Sequence, residues 1–539
     1  MKALHSRLVV SWLLLVPVAA WAAKPAVPTY TVGAGLKQLQ IDVNPVPGAT
    51  YYQLWFLANG NASWVKYMDT TAADPLFKVT ISAHLLDWFN ARYRVTACNA
   101  DGCTSTVKFA VTELMKETPG YFKTPAAAVA PYAYGQAPVL SADGKTLAVI
   151  GGETIGTRQR SVRVNVYQKD DDGWRLTARL RPSAPVEHDS AEPLENYPAY
   201  PGTPRPLAIS ADGTTIVLGV PREFILTPNS YPDQGAVYVF RKSGTTWTEE
   251  QKIGPGTLSR NWLGAKVSVD ATGQTLALWK YFPEGEGDYW FVDIYRRGAS
   301  GWTRFKELPE TKGGYNINNF VMSGDGKVLV TSDYSAFIKV YTGPDFALTQ
   351  TLTRITAIRR ATGLGINFDG SVIATETSPH DAPAGATWQT NIMAFRRGSS
   401  GWVAEPPFTY LGNQPKLKVG FSDEFASSIA VSRDGKFIAV GDPLNRYVGT
   451  GALHTPVTSS SVQSGAVFIF ERTPSSWRLR SLIKPNVSYE GTLFGAHVAF
   501  GDNQRILAVG AAGDASAARD IDGNQSDTTA PDSGALWLY

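Results

Sequence analysis

The chain has little of several residue types that would point to a particular chemistry. Among its 539 residues there are two cysteines, six histidines and five methionines. The formal net charge at pH 7 is +3, and no run of Lys and Arg is longer than two residues. Proteins that bind nucleic acid carry a concentrated basic patch. We therefore expect no nucleic-acid partner.

The short motifs of common catalytic sites are also missing. The sequence contains no nucleophile elbow, no phosphate-binding loop, no histidine pair at helical spacing and no zinc-spaced set of Cys and His. Three histidines, His188, His380 and His454, fall in predicted loops. Unrelated surface or packed histidines are the ordinary interpretation of these three. A metal or acid/base cluster at one end of the molecule is the alternative.

A long apolar run occurs once, at the start of the chain. Residues 1–23 consist of a short basic start, an apolar run and a small-residue ending at Ala22 and Ala23. This order predicts a secretory signal peptide that is cleaved after Ala22 or Ala23. An uncleaved anchor is the alternative, although the run is shorter than the ~20 residues that a bilayer span needs. We expect export to the periplasm or the extracellular space, with no lipid anchor and no other membrane span.

The remaining sequence is rich in turn and strand formers, with 50 Gly, 34 Pro and 11% aromatic residues. One pattern recurs seven times in diverged copies, most clearly near the C-terminus. In that copy a short strand leads to a turn (432–436), a second strand (437–443), a long polar loop, a third strand (464–470) and a fourth that begins near Trp477. Four short strands with tight turns form an up-and-down sheet, the unit of a propeller blade.

The other copies predict a closed ring of such sheets. The turn and second strand recur at 141–153, 210–223, 270–281, 323–335, 368–379 and 501–514. Units of this size cannot each bury a core, and seven is a usual number for closing a ring. The seventh unit stops at Tyr539 without a fourth strand. Residues 119–124 have the character of those fourth strands, so we expect them to complete the last blade and close the ring.

Several of these segments resemble a known repeat family. Residues 494–498, 439–443 and 465–470 resemble the FG-GAP repeats of bacterial secreted proteins and of integrin α-subunit propellers. The resemblance covers residues 128–539. It implies a seven-bladed β-propeller that binds or adheres to a partner outside the cytoplasm.

An acidic loop near the C-terminus is the candidate metal site. Asp520, Asp522 and Asn524 alternate, so that three oxygen-bearing side chains face one hard cation such as calcium, with Asp527 as a fourth candidate. Integrin-type calcium loops carry glycine after the third ligand, whereas Gly523 precedes Asn524 here. A calcium site and an ordinary solvated loop therefore both stand as interpretations.

Residues 28–113 predict a separate small domain. Their apolar and polar residues alternate with a period of two between turns, which is typical of a β-sandwich. Residues 93–99 and 47–52 resemble strands and a corner of fibronectin type III domains. Residues 114–127 then form a linker that contains the closing strand.

The two cysteines of the chain, Cys98 and Cys103, lie in this domain and flank a predicted hairpin turn at Asp101 and Gly102. An oxidising compartment would allow a disulfide across the turn. Because the enclosed loop is short, we expect the bond to fix the turn rather than to carry the fold. A redox or metal pair is the alternative.

Tryptophan and loop positions complete the functional prediction. A tryptophan opens the fourth strand in five units, at Trp174, Trp247, Trp302, Trp402 and Trp477. Packing between blades is the ordinary interpretation of these residues, and a carbohydrate platform is the alternative. The loops 182–205, 442–464 and 511–533 are the best places for a partner site.

We predict a non-catalytic binding or adhesion module that presents these loops to a protein or glycan outside the cytoplasm. No cofactor is predicted outright, and calcium at the acidic loop is the one candidate. An enzyme acting on an extracellular sugar or lactone and an envelope assembly scaffold are the alternatives, because propellers host both binders and enzymes.

Overall fold

A computed structural model describes the chain from residue 23 to residue 539. The undescribed positions are 1–22, 125–133, 136, 156–158, 172, 184–205, 222, 224–233, 255–261, 285–286, 310–316, 318, 333–336, 355–362, 378–390, 410–424, 454–461 and 502–504. The predicted signal peptide and the loop 182–205 therefore fall almost wholly outside the described residues. Among the described residues, no helix combines the length and the hydropathy needed to cross a membrane.

The chain divides into two compact units. The first comprises Met1–Val32, Gln40–Lys78 and Arg92–Ala110, and the second comprises Gly33–Leu39, Val79–Ala91 and Val111–Tyr539. Strands dominate the described residues of both units, so the all-β prediction is confirmed, and the two short helices found among those residues have four residues each. The predicted boundaries of the sandwich, linker and propeller stay predictions.

The N-terminal strands form two sheets. The elements are β1 (Tyr30–Gly35), β2 (Gln38–Val43), β3 (Tyr51–Leu57), β4 (Val65–Thr71), β5 (Leu76–Thr80), α1 (Leu86–Phe89), β6 (Arg92–Asn99), β7 (Gly102–Ser105) and α2 (Thr112–Met115). One sheet has the order β1-β2-β5 and the other β4-β3-β6-β7. Buried and exposed residues alternate along β2 and β5. The inward side chains Ile41, Leu54, Phe77 and Val95 are fully buried, as period-two patterning requires.

The second unit contains seven further sheets of described residues. The first four sheets are β9 (Val139–Leu140), β10 (Thr146–Ile155), β11 (Gln159–Asp170), β12 (Gly173–Leu180); β13 (Leu207–Ile209), β14 (Thr215–Val220), β15 (Ala236–Ser243), β16 (Thr246–Ile253); β17 (Val267–Val269), β18 (Thr275–Glu284), β19 (Gly287–Gly298), β20 (Gly301–Leu308); and β21 (Asn319–Met322), β22 (Val328–Ser332), β23 (Phe337–Thr342), β24 (Ala347–Thr353). The last three are β25 (Leu364–Ile366), β26 (Val372–Thr377), β27 (Asn391–Gly398), β28 (Gly401–Ala404); β29 (Ser428–Val431), β30 (Phe437–Asp442), β31 (Gly451–Leu453), β32 (Ala466–Arg472), β33 (Trp477–Lys484); and β34 (Phe494–Gly501), β35 (Ile506–Ala511), β36 (Ala535–Leu538), with β8 (Gly120–Phe122).

Each of these sheets is antiparallel and runs from an inner to an outer strand. Several second strands are buried along their whole length, as in Thr215–Val220 and Ile506–Ala511. Strands that are covered on both faces read as continuous apolar runs, which explains the sequence pattern. In five sheets a bulge shifts the pairing of the third and fourth strands at the same place. A bulge bends the strand and increases the local twist.

The first strands of the sheets contact one another in a cycle. β9, β13, β17, β21, β25, β29 and β34 each contact the next, and β34 contacts β9 again. Backbone hydrogen bonds also join turns of neighbouring sheets, from the Ala142 amide to the Ala211 carbonyl (2.9 Å) and from the Ala211 amide to the Ala271 carbonyl (3.1 Å). Gly273 has φ +63°, and a Cβ there would lie 2.4 Å from Thr215 Oγ1, so this turn requires glycine. The second unit is thus built as a β-propeller.

The last sheet combines strands from distant parts of the chain. β8 pairs antiparallel with β36, with Phe122 opposite Leu536 and Tyr121 opposite Trp537. All three residues of β8 are buried. This is the edge at which the sequence analysis placed residues 119–124.

The sixth sheet contains a strand that the sequence did not predict. β31 arises within the long loop after β30 and pairs with the outer strand β33, with Ala452 opposite Ile483. The sheet order is therefore β29-β30-β32-β33-β31. This addition covers the outer edge of β33, an edge that would otherwise offer unpaired backbone groups.

Candidate binding surface

A narrow channel passes between the first strands of the propeller sheets. Its cavity has a volume of about 280 Å³ and is lined mostly by aliphatic side chains and backbone. Lys266 is the single titratable side chain in the lining. It contacts Asn319 and lies 5.4 Å from the ring centroid of Phe320. At the turn end, a smaller cavity of about 200 Å³ includes Arg433, which stacks 3.6 Å from the ring of Phe368.

The recurring tryptophans lie between sheets. Trp302 Nε1 donates to Glu250 of the preceding sheet (3.1 Å), and Glu250 also pairs with Arg297. Trp477 Nε1 makes the corresponding bond to Glu405 (2.7 Å). Four of the five rings are buried, namely Trp174, Trp302, Trp402 and Trp477. Rings that are buried against a neighbouring sheet serve packing, and their faces are not open to a sugar.

A buried ion pair ties the closing strand to the last loop. Lys123 Nζ contacts Asp514 Oδ1 (3.0 Å), Ser533 Oγ (2.7 Å) and the Gly534 carbonyl (2.6 Å), and the two charged side chains are 0% and 3% exposed. The Tyr121 hydroxyl donates to the same Asp514 oxygen (2.7 Å). Burial lowers the pKa of Lys123, while the Asp514 carboxylate acts in the opposite direction. This network holds both ends of the loop 512–534.

The sixth sheet repeats the arrangement. Lys484 Nζ donates to Ser464 Oγ (2.8 Å) and to the Gly465 carbonyl at the base of its long loop. Burial lowers the pKa of Lys484 to about 8, and the nearby Asp442 carboxylate opposes this shift. The same chemical device therefore fixes the loops of two adjacent sheets.

The predicted metal residues each accept a hydrogen bond from a backbone amide, Asp520 through its carbonyl and the other three through their side chains. The Asp520 carbonyl accepts from the Lys123 amide (2.7 Å), and Asp522 Oδ1 accepts from the Tyr121 amide (2.9 Å). Asn524 Oδ1 accepts from the Ser526 amide, and Asp527 Oδ1 accepts from the amide and hydroxyl of Thr529. The bonds from Thr529 lower the pKa of Asp527.

Asp522 thus connects the loop to β8, a link that spans some four hundred residues and that no local sequence signal reveals. Within the described part of the chain, no three His, Cys, Asp or Glu side chains are grouped to hold a metal ion. Calcium binding by this loop stays a prediction.

The loops of the sixth and seventh sheets meet at one end of the propeller. The Gly491 amide donates to the Gln463 carbonyl (2.9 Å), and the Gly513 amide donates to the Thr492 carbonyl (3.2 Å). We call residues 443–453, 462–465, 486–493 and 512–534 the loop surface. Its exposed residues are mostly polar and acidic and include Arg519, Asp520, Asp522, Asn524, Thr528, Asp532 and Glu490. Sequence analysis had proposed two of these loops separately but not their contact.

The other candidate residues are elsewhere. The sulfur atoms of Cys98 and Cys103 are 2.11 Å apart, a disulfide-bond distance, and the two residues face each other across β6 and β7. The Asp101 amide donates to Asn99 Oδ1 (2.9 Å) within the turn. His84 and His497 are buried. His188, His380 and His454 lie outside the described residues.

These features define an all-β protein built on a β-propeller. No family model matches the sequence, and no curated protein matches it. Among solved structures, the chain is similar to the β-propeller domain of Cps50 (Swd1) from Myceliophteria thermophila. The identity is 11%, the match covers 75% of this chain and 96% of that domain, and the TM-score is 0.44.

Proposed function

We propose that the protein is an exported, non-catalytic binding protein that presents the loop surface to a protein or glycan outside the cytoplasm. In this proposal its propeller is a closed ring of seven blades of the FG-GAP type. A sandwich of the fibronectin type III type precedes it. The cycle of contacts among first strands and the pairing of β8 with β36 support the closed ring. The two N-terminal sheet orders, β1-β2-β5 and β4-β3-β6-β7, support the sandwich.

The anchoring of the loop surface carries the proposal. Buried lysines fix the bases of both long loops, while side chains such as Arg519, Thr528 and Asp532 remain exposed above them. A loop that is already ordered loses less conformational entropy when a partner binds. Rigid scaffolds that display polar loops are a common solution for binding sites.

The test replaces exposed loop side chains without touching the anchors. The triple variant R519A/T528A/D532N and the wild type are compared on a glycan array and in retention of proteins from an extracellular fraction; asparagine is used at 532 because this residue has φ +56°. We expect the wild type to retain a partner that the triple variant loses, with an unchanged melting temperature. A control variant replaces residues 473–476 with Gly and Ser, because this turn lies at the opposite end of the sixth sheet. Equal retention by the triple variant and the wild type would refute the role of the loop surface.

A further inference from the structure

One arginine in the N-terminal unit is held between two aromatic rings. The guanidinium carbon of Arg94 lies 5.1 Å from the ring centroid of Trp55 and 4.8 Å from that of Trp64. Cation–π contacts of this kind fix the plane of the guanidinium and leave its edge, which carries the N–H donors, free of the rings.

Strand register places further groups beside this arginine. Trp55 on β3 lies opposite Arg94 on β6 and opposite Lys66 on β4. Residues directly opposite in antiparallel strands project from the same face of the sheet. The neighbouring residues Leu54 and Val95 are buried, so the Lys66, Trp55 and Arg94 row is on the face turned away from the core.

The charge of Arg94 is not neutralised. In the part of the chain that the structure describes, its side chain has no ion pair and no hydrogen bond, and Nε is buried without a partner. Lys66 pairs with Asp69 at 2.9 Å, but both side chains are 47% exposed. Pairs this exposed to water contribute little. Packing alone explains the stacked rings, yet it leaves the planar fork of N–H donors unused.

The next row along the same face is polar and holds one carboxylate, that of Asp69, which lies opposite Gln53 and pairs with Lys66. Gln53 lies opposite Thr96, and the hydroxyls of Thr96 and Ser105 are 2.9 Å apart. Beyond this row, Tyr51 is 37% exposed. The face therefore combines aromatic rings, the Gln53 amide, the exposed Ser105 hydroxyl, the Lys66–Asp69 pair and a rigid cation. Sites with aromatic lining and a few convergent polar groups bind small ligands, and an arginine fork binds carboxylate and similar oxyanions in a bidentate manner.

We propose that this face binds an acidic saccharide whose carboxylate or sulfate group pairs with Arg94. The proposal rests on the proposed function only in treating the protein as a binding protein, and its site is separate from the loop surface. Asp69 offsets the charge of Lys66 on this face, so the positive charge of Arg94 is the one left over and favours an anionic ligand. The adjacent Ser105 hydroxyl and Gln53 amide favour a sugar over an acidic peptide, because a sugar ring offers several hydroxyl groups beside its acidic group.

The experiment measures binding of the full chain to oligogalacturonate and to the same oligosaccharide as its methyl ester. A sulfated oligosaccharide and poly-glutamate complete the set of probes. Isothermal titration is performed on the wild type, on R94Q, and on R175Q, which removes an equal charge from an exposed ion pair in the other unit. R94K is included because it keeps the charge without the planar fork. Near-UV circular dichroism checks that each variant is folded.

We expect the wild type and R175Q to bind the uronate or the sulfated probe, with no measurable binding of the ester. R94Q should weaken that binding by about tenfold or more, since charge-assisted bonds are the strong ones, and R94K should be intermediate. Equal affinities of R94Q and the wild type would overturn the site. The site would also be overturned if the methyl ester or poly-glutamate bound as tightly as oligogalacturonate. It would equally be overturned if neither oligogalacturonate nor the sulfated oligosaccharide bound. None of these results bears on the loop-surface test, so the two proposals fail separately.

Discussion

Replacing Lys123 by methionine tests the ion pair that joins the closing strand to the last loop. The substitution keeps the length of the side chain but leaves the Asp514 carboxylate buried with only its neutral donors, Tyr121 Oη and the Ser516 amide. Removing one partner of a buried pair costs about 3–5 kcal/mol, because the other charge is left uncompensated. We expect K123M to lower the free energy of unfolding by this amount.

The assay is guanidinium denaturation of the full chain, followed by tryptophan fluorescence. The variant K145M serves as the matched control, because Lys145 is exposed in a turn and its loss should change stability by no more than about 0.5 kcal/mol. Adding D514N to K123M removes the uncompensated carboxylate charge at position 514 while keeping an acceptor for the Tyr121 hydroxyl. The double variant should therefore recover stability. A cost for K123M equal to that of K145M, or a double variant no more stable than K123M, would refute the reasoning.

Three further predictions follow from the structure. Burial lowers the pKa of Lys484 to about 8, so the unfolded chain binds this proton more tightly than the folded chain does. The free energy of unfolding should therefore rise between pH 8 and pH 10 by on the order of 2 kcal/mol relative to that of K484M. Parallel plots of the free energy of unfolding against pH for the two proteins would contradict this. The exported protein should show an intact mass two hydrogens below the reduced form if Cys98 and Cys103 are bridged, and free thiols would exclude the bond. Calcium binding by the acidic loop predicts a higher melting temperature with calcium than with chelator, abolished by D527A; an unchanged melting temperature would leave an ordinary solvated loop.

The repeated sheets could be predicted because each carries its own local pattern. A turn with Asp-Gly followed by a continuous apolar run can be recognised within a dozen residues, as at 432–443. The closing strand could also be predicted, because the last repeat lacks a fourth strand and residues 119–124 have the aromatic and polar character of the other fourth strands.

Other features had no local signal. β31 is a three-residue strand inside a polar loop, and its existence depends on pairing with β33 rather than on its own propensity. The alternation at Asp520, Asp522 and Asn524 predicts shared coordination, and this stays a prediction. The bond from the Tyr121 amide to Asp522, by contrast, had no signal in the loop itself. Arg94 belonged to an ordinary alternating strand in the sequence. Its position between Trp55 and Trp64 depends on the register of β3 and β6 and on the residue before β4, which the sequence does not specify.

The composition of the last sheet has a consequence for how the protein folds. Lys123 and Gly534, which bond to each other, are 411 residues apart in the chain. β8 is therefore synthesised before every propeller sheet and stays without its partner until β36 exists. Contacts between residues so distant in sequence form slowly, because the intervening chain must first be ordered.

We expect the individual sheets to assemble early as an open stack and the joining of β8 to β36 to limit the rate. Until that step, Tyr121 and Phe122 remain in water and β36 keeps a free edge on which another chain can add. The chain is thus most open to aggregation at the end of its folding. Any chain that loses β8 or β36 keeps the free edge and stays open to aggregation.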